Sequence, residues 1–356
     1  MLQVMVIAFI SCDDDNSPQY ESGNLISWDV VTTNIPVGRA LIDKNEELDL
    51  ACSTGKSIGI KSSYILDGKV THNVLGNPDG DVSLTYSKTP TTEHLNGWSY
   101  GKTAAYWEIG AKYTFNAYYP MDKVHNITSS STSPFVIKYN CEHNQEDLMM
   151  AHSDVNTLLP SFSPKMPVTL AMRHVLSAIE FKFSFNDSGI AYDDSDALTA
   201  FWLENSVSDS GLYTIGELEF GKYVNGILDG DSISWTNIAN TVAPNTKIYL
   251  WEDSEGVEFS SKADGTTTYA YAYSSGRYAE NDSFIFVIPQ HNNGTINFCF
   301  KLQSSGNQTY RATLPSCTYL PGKRYHYDIR LGKPNIDVKL TIADWNRLNS
   351  SVHIPI

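Results

Sequence analysis

Basic residues never cluster in this chain: 25 Lys and Arg are scattered among 40 Asp and Glu, leaving a formal net charge of −15 over 356 residues. That deficit disfavours nucleic-acid binding, because phosphate contacts need grouped Lys and Arg. Charged side chains of both signs make up only 18% of the sequence against 41% hydrophobic, so the chain has material for packed cores and too little charge for disorder. Sustained helical periodicity is hard to find, and only residues 142–151 (EHNQEDLMMA) read as a short helix or a single helical turn. The apolar run at the start, Val4 to Ile10, falls well short of the ~20 residues that a membrane-spanning helix requires. Five cysteines are present, with no C-x-x-C and no paired Cys/His cluster at zinc spacing, so no metal site is predicted.

Catalytic signatures are scarce as well. G-x-S-x-G is absent. Gly55-Lys56-Ser57 resembles the end of a phosphate loop, yet Leu50 stands where the first glycine should be. His143 and His152 are too far apart for a helical zinc pair and read as loop histidines, while His174, within a strand-like run, reads as structural. Asp79-Gly80-Asp81 lacks the rest of a calcium loop and reads as a turn. Forty acidic residues make chance carboxylate pairs certain, and nothing singles one out. Trp98, Tyr100, Trp251, Tyr269, Tyr271 and Tyr273 would suit a sugar-stacking platform, although in β-rich chains such residues mostly pack in cores. No enzyme and no cofactor is predicted.

What the chain does contain is β pattern almost throughout. Short alternating runs rich in Tyr, Thr, Val and Ile recur between Gly, Asn, Asp, Ser and Pro clusters, as at 106–119, 168–185, 283–288, 295–302 and 325–331. The fold class that follows is all-β, with β-sandwiches and few short helices. The length exceeds what one core usually supports, so two tandem domains are expected. The Pro- and Ser-containing stretch from Pro160 to Pro167 supplies the boundary, giving residues 24–165 and 166–356.

Residues 1–12 (MLQVMVIAFISC) form a lipoprotein signal by pattern: an apolar segment, the small Ser11, then Cys12 to carry the lipid. Residues 13–23 follow as a flexible tether beginning with Asp13, Asp14 and Asp15. In an exported protein Cys299 and Cys317, on consecutive strand-like runs, are a possible disulfide, with buried free thiols as the alternative.

Both ends of the mature chain carry alternating apolar segments. In 24–33 (NLISWDVVTT), Ile26, Trp28 and Val30 share one face, the mark of a half-buried strand. A Pro- and Gly-containing loop follows, then Arg39-Ala40, a candidate cut site for a trypsin-like enzyme. Near the other end Ile336, Val338, Leu340 and Ile342 alternate with polar residues, and Val352, Ile354 and Ile356 alternate up to the last residue. A terminal apolar strand invites pairing with another chain.

Four segments, in this order and spacing, resemble the fimbrillin family, specifically its fimbrillin-like (Mfa-like) surface proteins. They are Trp107 to Pro120, Asp147 to Ala151, Val168 to Phe181, and Pro321 to Trp345. The resemblance implies two tandem transthyretin-like sandwiches and a structural, adhesive role in a type V pilus. It implies export to the outer membrane as a lipid-anchored precursor, then cleavage by a trypsin-like protease after Arg39. Residues 24–33 would then be the removable strand and 336–356 the donor, so other pilus subunits are the implied partners, joined by β-strand complementation. Two rival readings remain from the residues alone: a glycan-binding surface lipoprotein that never polymerises, and a surface glycoside hydrolase.

Overall fold

The computed structural model describes residues 25–32, 45–76, 81–89, 97–100, 104–122, 127–130, 133–141, 146–185, 197–205, 212–213, 215–224, 227–239, 247–258, 268–270, 284–302, 308–331 and 336–344. Most of them are strand, with one short helix. The first elements are β1 (Trp28–Thr32), α1 (Asn45–Ser53), β2 (Ile58–Leu66), β3 (Lys69–His72), β4 (Val82–Tyr86) and β5 (Trp98–Tyr100). β6 (Lys112–Tyr119), β7 (Ile127–Ser130), β8 (Ser133–Asn140), β9 (Met149–Asn156) and β10 (Val168–His174) follow. After these come β11 (Ser177–Phe185), β12 (Ala197–Asn205), β13 (Ile215–Val224), β14 (Ile227–Ala239), β15 (Lys247–Glu258) and β16 (Thr268–Ala270). The chain continues through β17 (Phe284–Val287), β18 (His291–Asn292), β19 (Ile296–Leu302), β20 (Thr309–Thr313), β21 (Cys317–Thr318), β22 (Lys323–Leu331) and β23 (Ile336–Asp344).

The first sheet runs β1-β10-β9-β6-β2-β4-β5, with β3 hung on β2. It curls over its own core. Trp28 on β1 meets Phe115 on β6 and Tyr100 on β5 edge to face, at 5.2 and 5.9 Å. Alternation explains the burial: Tyr113, Phe115 and Ala117 turn inward on β6, as do Ile58 and Ile60 on β2. Gly59, between those two isoleucines, lies under the Tyr118 ring on the other face, leaving no room for a Cβ. Tyr118 in turn donates from its hydroxyl to Asp81 Oδ2 at 2.9 Å. The Asp79–Asp81 motif therefore ends in a packing contact.

Helix α1 was not foreseen, though its signals are present. Asn45 opens it, Glu46 and Glu47 sit in the first turn, and Leu48 and Cys52 form a buried face. Gly55, at φ +114°, follows its end where an ordinary residue would be strained. Residues 149–151, read as part of a helix, belong instead to β9, paired with β6 from Met149↔Tyr119 to Asn156↔Lys112.

The later strands stack two sheets face to face. One runs β16-β11-β22-β23 with β17 also on β11; the other runs β15-β12-β19-β20. Phe181 of β11 stacks on Phe298 of β19 at 5.6 Å and on Tyr327 of β22 at 5.5 Å. A third sheet, β14-β13-β8-β7, joins strands from both halves of the sequence.

Pairing does not respect the expected break at 165/166. Residues 157–167 are turns linking β9 to β10 within the first sheet, and β8 pairs with β13, Asn140↔Ile215 through Phe135↔Phe220. The chain passes from the first sheet, at β10, to the sheet of β11 and β22 at Val175–Leu176, inside the run 168–185. There Val175 N donates to Leu148 O, Trp235 Nε1 to Val175 O, and Gly322 N to Leu176 O, at 2.8–3.0 Å. Beside this passage His174 Nδ1 lies 2.8 Å from Asp147 Oδ2, both side chains almost fully buried. His174 is thus structural, as its place in a strand suggested.

Two outcomes test this packing. Gly59→Val should displace the Tyr118 ring and lower stability by about 1–3 kcal/mol, read by urea denaturation. On the face of the first sheet away from Trp28, His152 Nε2 lies 3.1 Å from Asp154 Oδ2, and this contact holds the Asp154 carboxyl below its ordinary value. Folded Asp154 takes up its proton less readily than unfolded, so its contribution is present above the ordinary carboxylate pKa and is lost as pH falls through the depressed one. Asp154→Asn should therefore be less stable than wild type near neutrality, and the gap should close in acid melts.

Candidate functional site: the seat of the first strand

Ile26, Trp28 and Val30 are 0, 1 and 4% exposed, so the face predicted from their alternation is the buried one. Trp28 is wedged between Tyr100 and Phe115, edge to face with both rings. At ~1.5–3 kcal/mol for each large apolar side chain buried, the three hold the strand by several kcal/mol. The backbone is held differently. β1 pairs in parallel with β10 along its whole length, Trp28↔Val168 to Thr32↔Met172, and ends the sheet there. Removing a strand of this kind breaks one ladder rather than two.

The two ends of the seat differ. At Thr32, the side-chain oxygen Oδ1 of Asn45 accepts from the backbone N at 2.7 Å and from Thr32 Oγ1 at 3.0 Å. The first residue of α1 thereby closes this end. At the other end Ile26 N donates to Ala105 O at 2.9 Å, and Leu25 bridges Tyr106. Tyr100 steadies that edge, its hydroxyl accepting from Ala105 N at 2.8 Å. Asn45 and Phe115 were not among the residues singled out from sequence, and Tyr100 was singled out only for a sugar-stacking platform. The asparagine ahead of acidic residues was the one available sign.

Arg39 and Ala40 lie outside the described residues, in the interval 33–44 between Thr32 and Asn45. The same holds for Cys12, Val352, Ile354 and Ile356. Of the C-terminal pattern, Ile336, Val338, Leu340 and Ile342 fall on β23, opposite Leu331, Ile329, Tyr327 and Tyr325 of β22. β23 is folded back on its own sandwich as the last strand of its sheet, and Ile342 packs against the core there.

Of the remaining sequence candidates, His143, Asp79, Gly80, Tyr271 and Tyr273 lie outside the described residues, and those that follow have structural roles. Cys299 and Cys317 form no disulfide; both are free thiols, as are Cys52 and Cys141. The reason is the strand period. Phe298 and Phe300 point into the core that Cys317 packs against, which puts Cys299 on the opposite face with Ala200 and Trp202. On that face Glu204 takes Arg311 Nε at 2.7 Å and Trp202 Nε1 at 2.9 Å. Burial pushes its carboxyl up, but hydrogen bonds from Trp202, Arg311 and Cys299 outweigh that and hold it below the usual range. Burial drives the Cys52 thiol up to about 12, helped by Asp49, so it is a poor nucleophile.

Lys56, of the apparent phosphate loop, is held between Asp122 at 3.1 Å and Glu146 at 2.8 Å. Trp98 and Tyr100 are buried core aromatics. His152 lies within β9 rather than a loop, with Nδ1 2.9 Å from Asn116 Oδ1. Among the described residues no three His, Cys, Asp or Glu come together as a metal site.

A sequence profile described as fimbrillin-like matches residues 54–345. Among solved structures, the chain is similar to a fimbrial protein from Bacteroides vulgatus at 15% identity, over 90% of this chain and 99% of that one, with a TM-score of 0.53. Proposed cell adhesion proteins from Bacteroides uniformis (14%; 90% and 98%; 0.49) and Bacteroides ovatus (14%; 91% and 97%; 0.49) are also similar. At such identities the likeness is one of fold. Among curated proteins none matches.

The seat makes its own prediction. Trp28→Ala should cost about 3–5 kcal/mol in urea denaturation, while Asn45→Ala, which leaves the Thr32 amide unpaired, should cost only ~1–3 kcal/mol. A Trp28→Ala loss below that of Asn45→Ala would deny Trp28 its anchoring role.

Proposed function

The chain belongs to the fimbrillin-like family, and from that premise we propose that it is a structural, adhesive subunit of a cell-surface pilus that assembles by exchanging strands. Membership of a family of fimbrial proteins assigns it a structural role rather than an enzymatic one. In this reading the precursor is exported with a lipid on Cys12, anchored in the outer membrane, and clipped between Arg39 and Ala40 by a trypsin-like protease. β1 then leaves, and a neighbour's donor segment, 336–356, takes its seat.

The observation that carries the reading is the construction of β1. The side chains of Ile26, Trp28 and Val30 are buried, yet among the described residues β1 forms a ladder with β10 alone, and it lies ahead of the arginine-bearing interval 33–44. Once that interval is cut, no covalent bond ties β1 to the rest of the fold. Losing it uncovers apolar surface worth several kcal/mol, a large share of the ~5–15 kcal/mol that holds a domain together. A clipped subunit is therefore a poor monomer and a good acceptor for any strand with the same alternation. β23 has that alternation, and as the last strand of its sheet it can leave by breaking one ladder. Acceptor and donor are different surfaces, so the contact is heterologous and repeats into an open filament. Cleavage also sets the order of events, since an intact precursor keeps its own strand.

The experiment treats wild type and Arg39→Ala with an arginine-specific protease and follows size by light scattering and N-terminal sequencing. Wild type should begin at Ala40 and polymerise, while Arg39→Ala stays monomeric. Equal assembly by the two would remove the cut from the mechanism, and a stable clipped monomer would overturn strand exchange.

A further inference from the structure

The seat of the first strand has a sequence of inward places. Ile26, Trp28 and Val30 fill three of them, and Thr32, also buried, fills the next. That last place is polar, because Thr32 Oγ1 donates to Asn45 Oδ1 at 3.0 Å. The residues between the inward ones face β10: Val168 N donates to Ser27 O at 2.8 Å. The N–H groups of the inward residues point the other way, Ile26 to Ala105 O and Thr32 to Asn45 Oδ1. Backbone groups alternate sides along a strand as side chains alternate faces, so the two patterns are locked together. An occupant that runs parallel to β10 must therefore bond to it through the residues between its inward ones.

Two features of residues 350–356 (SSVHIPI), which lie outside the described residues, fit this seat in one direction only. The first is side-chain order. Read backwards, Ile356, Ile354, Val352 and Ser350 give apolar, apolar, apolar, hydroxyl, the order of Ile26, Trp28, Val30 and Thr32. Read forwards, the serine falls in the first apolar place and Ile356 beside Asn45. The second feature is Pro355, which has no N–H to give. In parallel seating His353 and Pro355 are the residues that face β10, and one bond of the ladder is missing. Turning the strand end for end with the same side chains inward also turns its backbone groups over. The inward residues then bond to β10, and Pro355 faces away from the ladder, where proline is tolerated. Val168, which faces β1 through its N–H, is itself an inward residue, so it can pair directly with Ile354. β23 is a poorer match: Ile336, Val338, Leu340 and Ile342 carry no hydroxyl, and that strand is already paired with β22 along its whole length.

We propose that the vacated seat takes residues 350–356 of a second copy of this chain, antiparallel to β10, with Ile356, Ile354, Val352 and Ser350 in the places of Ile26, Trp28, Val30 and Thr32. This rests on the strand-exchange reading above and narrows its donor, since β23 then keeps its ladder with β22. Ser350 restores the hydroxyl that Asn45 accepts from Thr32, which makes Asn45 the residue that fixes the register. Ile354 is smaller than Trp28, so the second place is filled less completely by the new strand than by the old.

Cysteine pairs read the direction. With Ile354 opposite Val168, Ser351 lies opposite Ala171; in parallel seating Pro355 lies there instead. Two full-length double variants, Ala171→Cys with Ser351→Cys and Ala171→Cys with Pro355→Cys, are clipped by an arginine-specific protease, left to assemble in air and run on non-reducing gels. The first should give a ladder of disulfide-linked subunits, because such antiparallel neighbours have Cα atoms about 4.5 Å apart, within disulfide reach. The second should give none. Independently of any variant, the synthetic peptide SSVHIPI at about hundredfold excess should slow assembly of clipped wild type by about tenfold, and the β23 peptide IDVKLTI should not. The first peptide carrying Ile354→Trp should act at lower concentration, since it refills the Trp28 place. Polymer that gives no ladder with the Ser351→Cys pair, or that ignores SSVHIPI, would overturn the proposal while leaving strand exchange standing. A disulfide confined to single subunits would mean that the segment fills its own seat, and would overturn it too. Clipped wild type that neither polymerises nor binds either peptide would overturn strand exchange, and this assignment with it.

Discussion

The insertion of Trp28 between Tyr100 and Phe115 is the contact on which the first sheet depends. It joins the sheet's first strand to strands far along its order, and so holds the curl closed around a single core. Apolar burial of this kind is strong but undirected: it rewards a large side chain in the right place and is indifferent to which chain supplies it. The directed part of the attachment, the hydrogen-bond ladder, runs along β10 alone. That division between undirected burial and a single ladder is what the proposed strand exchange draws on.

The rest of the first sheet has attachments that do not run through β1. Asn45 pins the end of β1 from outside the strand, on a helix whose Leu48 and Cys52 sit in the core, so α1 has its own hold on the fold. The passage from β10 to β11 is fixed by hydrogen bonds to the backbone of Val175 and Leu176 and flanked by the buried His174–Asp147 pair. A buried pair of this kind adds little net stability, but breaking it is costly. Loss of β1 therefore leaves the register of β10 against β9 and the handover to β11 with supports of their own.

How far the fold was legible from sequence depended on whether the deciding force was local. Ile26, Trp28 and Val30 announced a buried face because strand period is local, and β11, β19, β22 and β23 were legible for the same reason. The split of 168–185 at Val175 was not, since its causes are Leu148, Trp235 and Gly322, distant in the chain. Cys299 and Cys317 looked paired because consecutive strands usually lie near each other. Their faces are opposite, which needed the pairing of β19 with β12 and β20 to be known. Helix α1 was missed although Asn45, two glutamates and Gly55 marked it, because a nine-residue helix amid strands gives only a weak periodic signal.

The amino-acid sequence by itself determined that this chain makes strands, which side of the terminal ones is apolar, and that nothing in it favours nucleic acid. Those properties are set by side-chain alternation and charge, which every residue carries wherever the chain goes. Tertiary structure alone decided that β1 is an edge strand, that β23 folds back onto β22, and that β8 crosses to join β13. Each of these is a choice of partner among many strands of similar pattern. Such choices follow from how several distant segments fill one volume at the same time, which no single segment encodes.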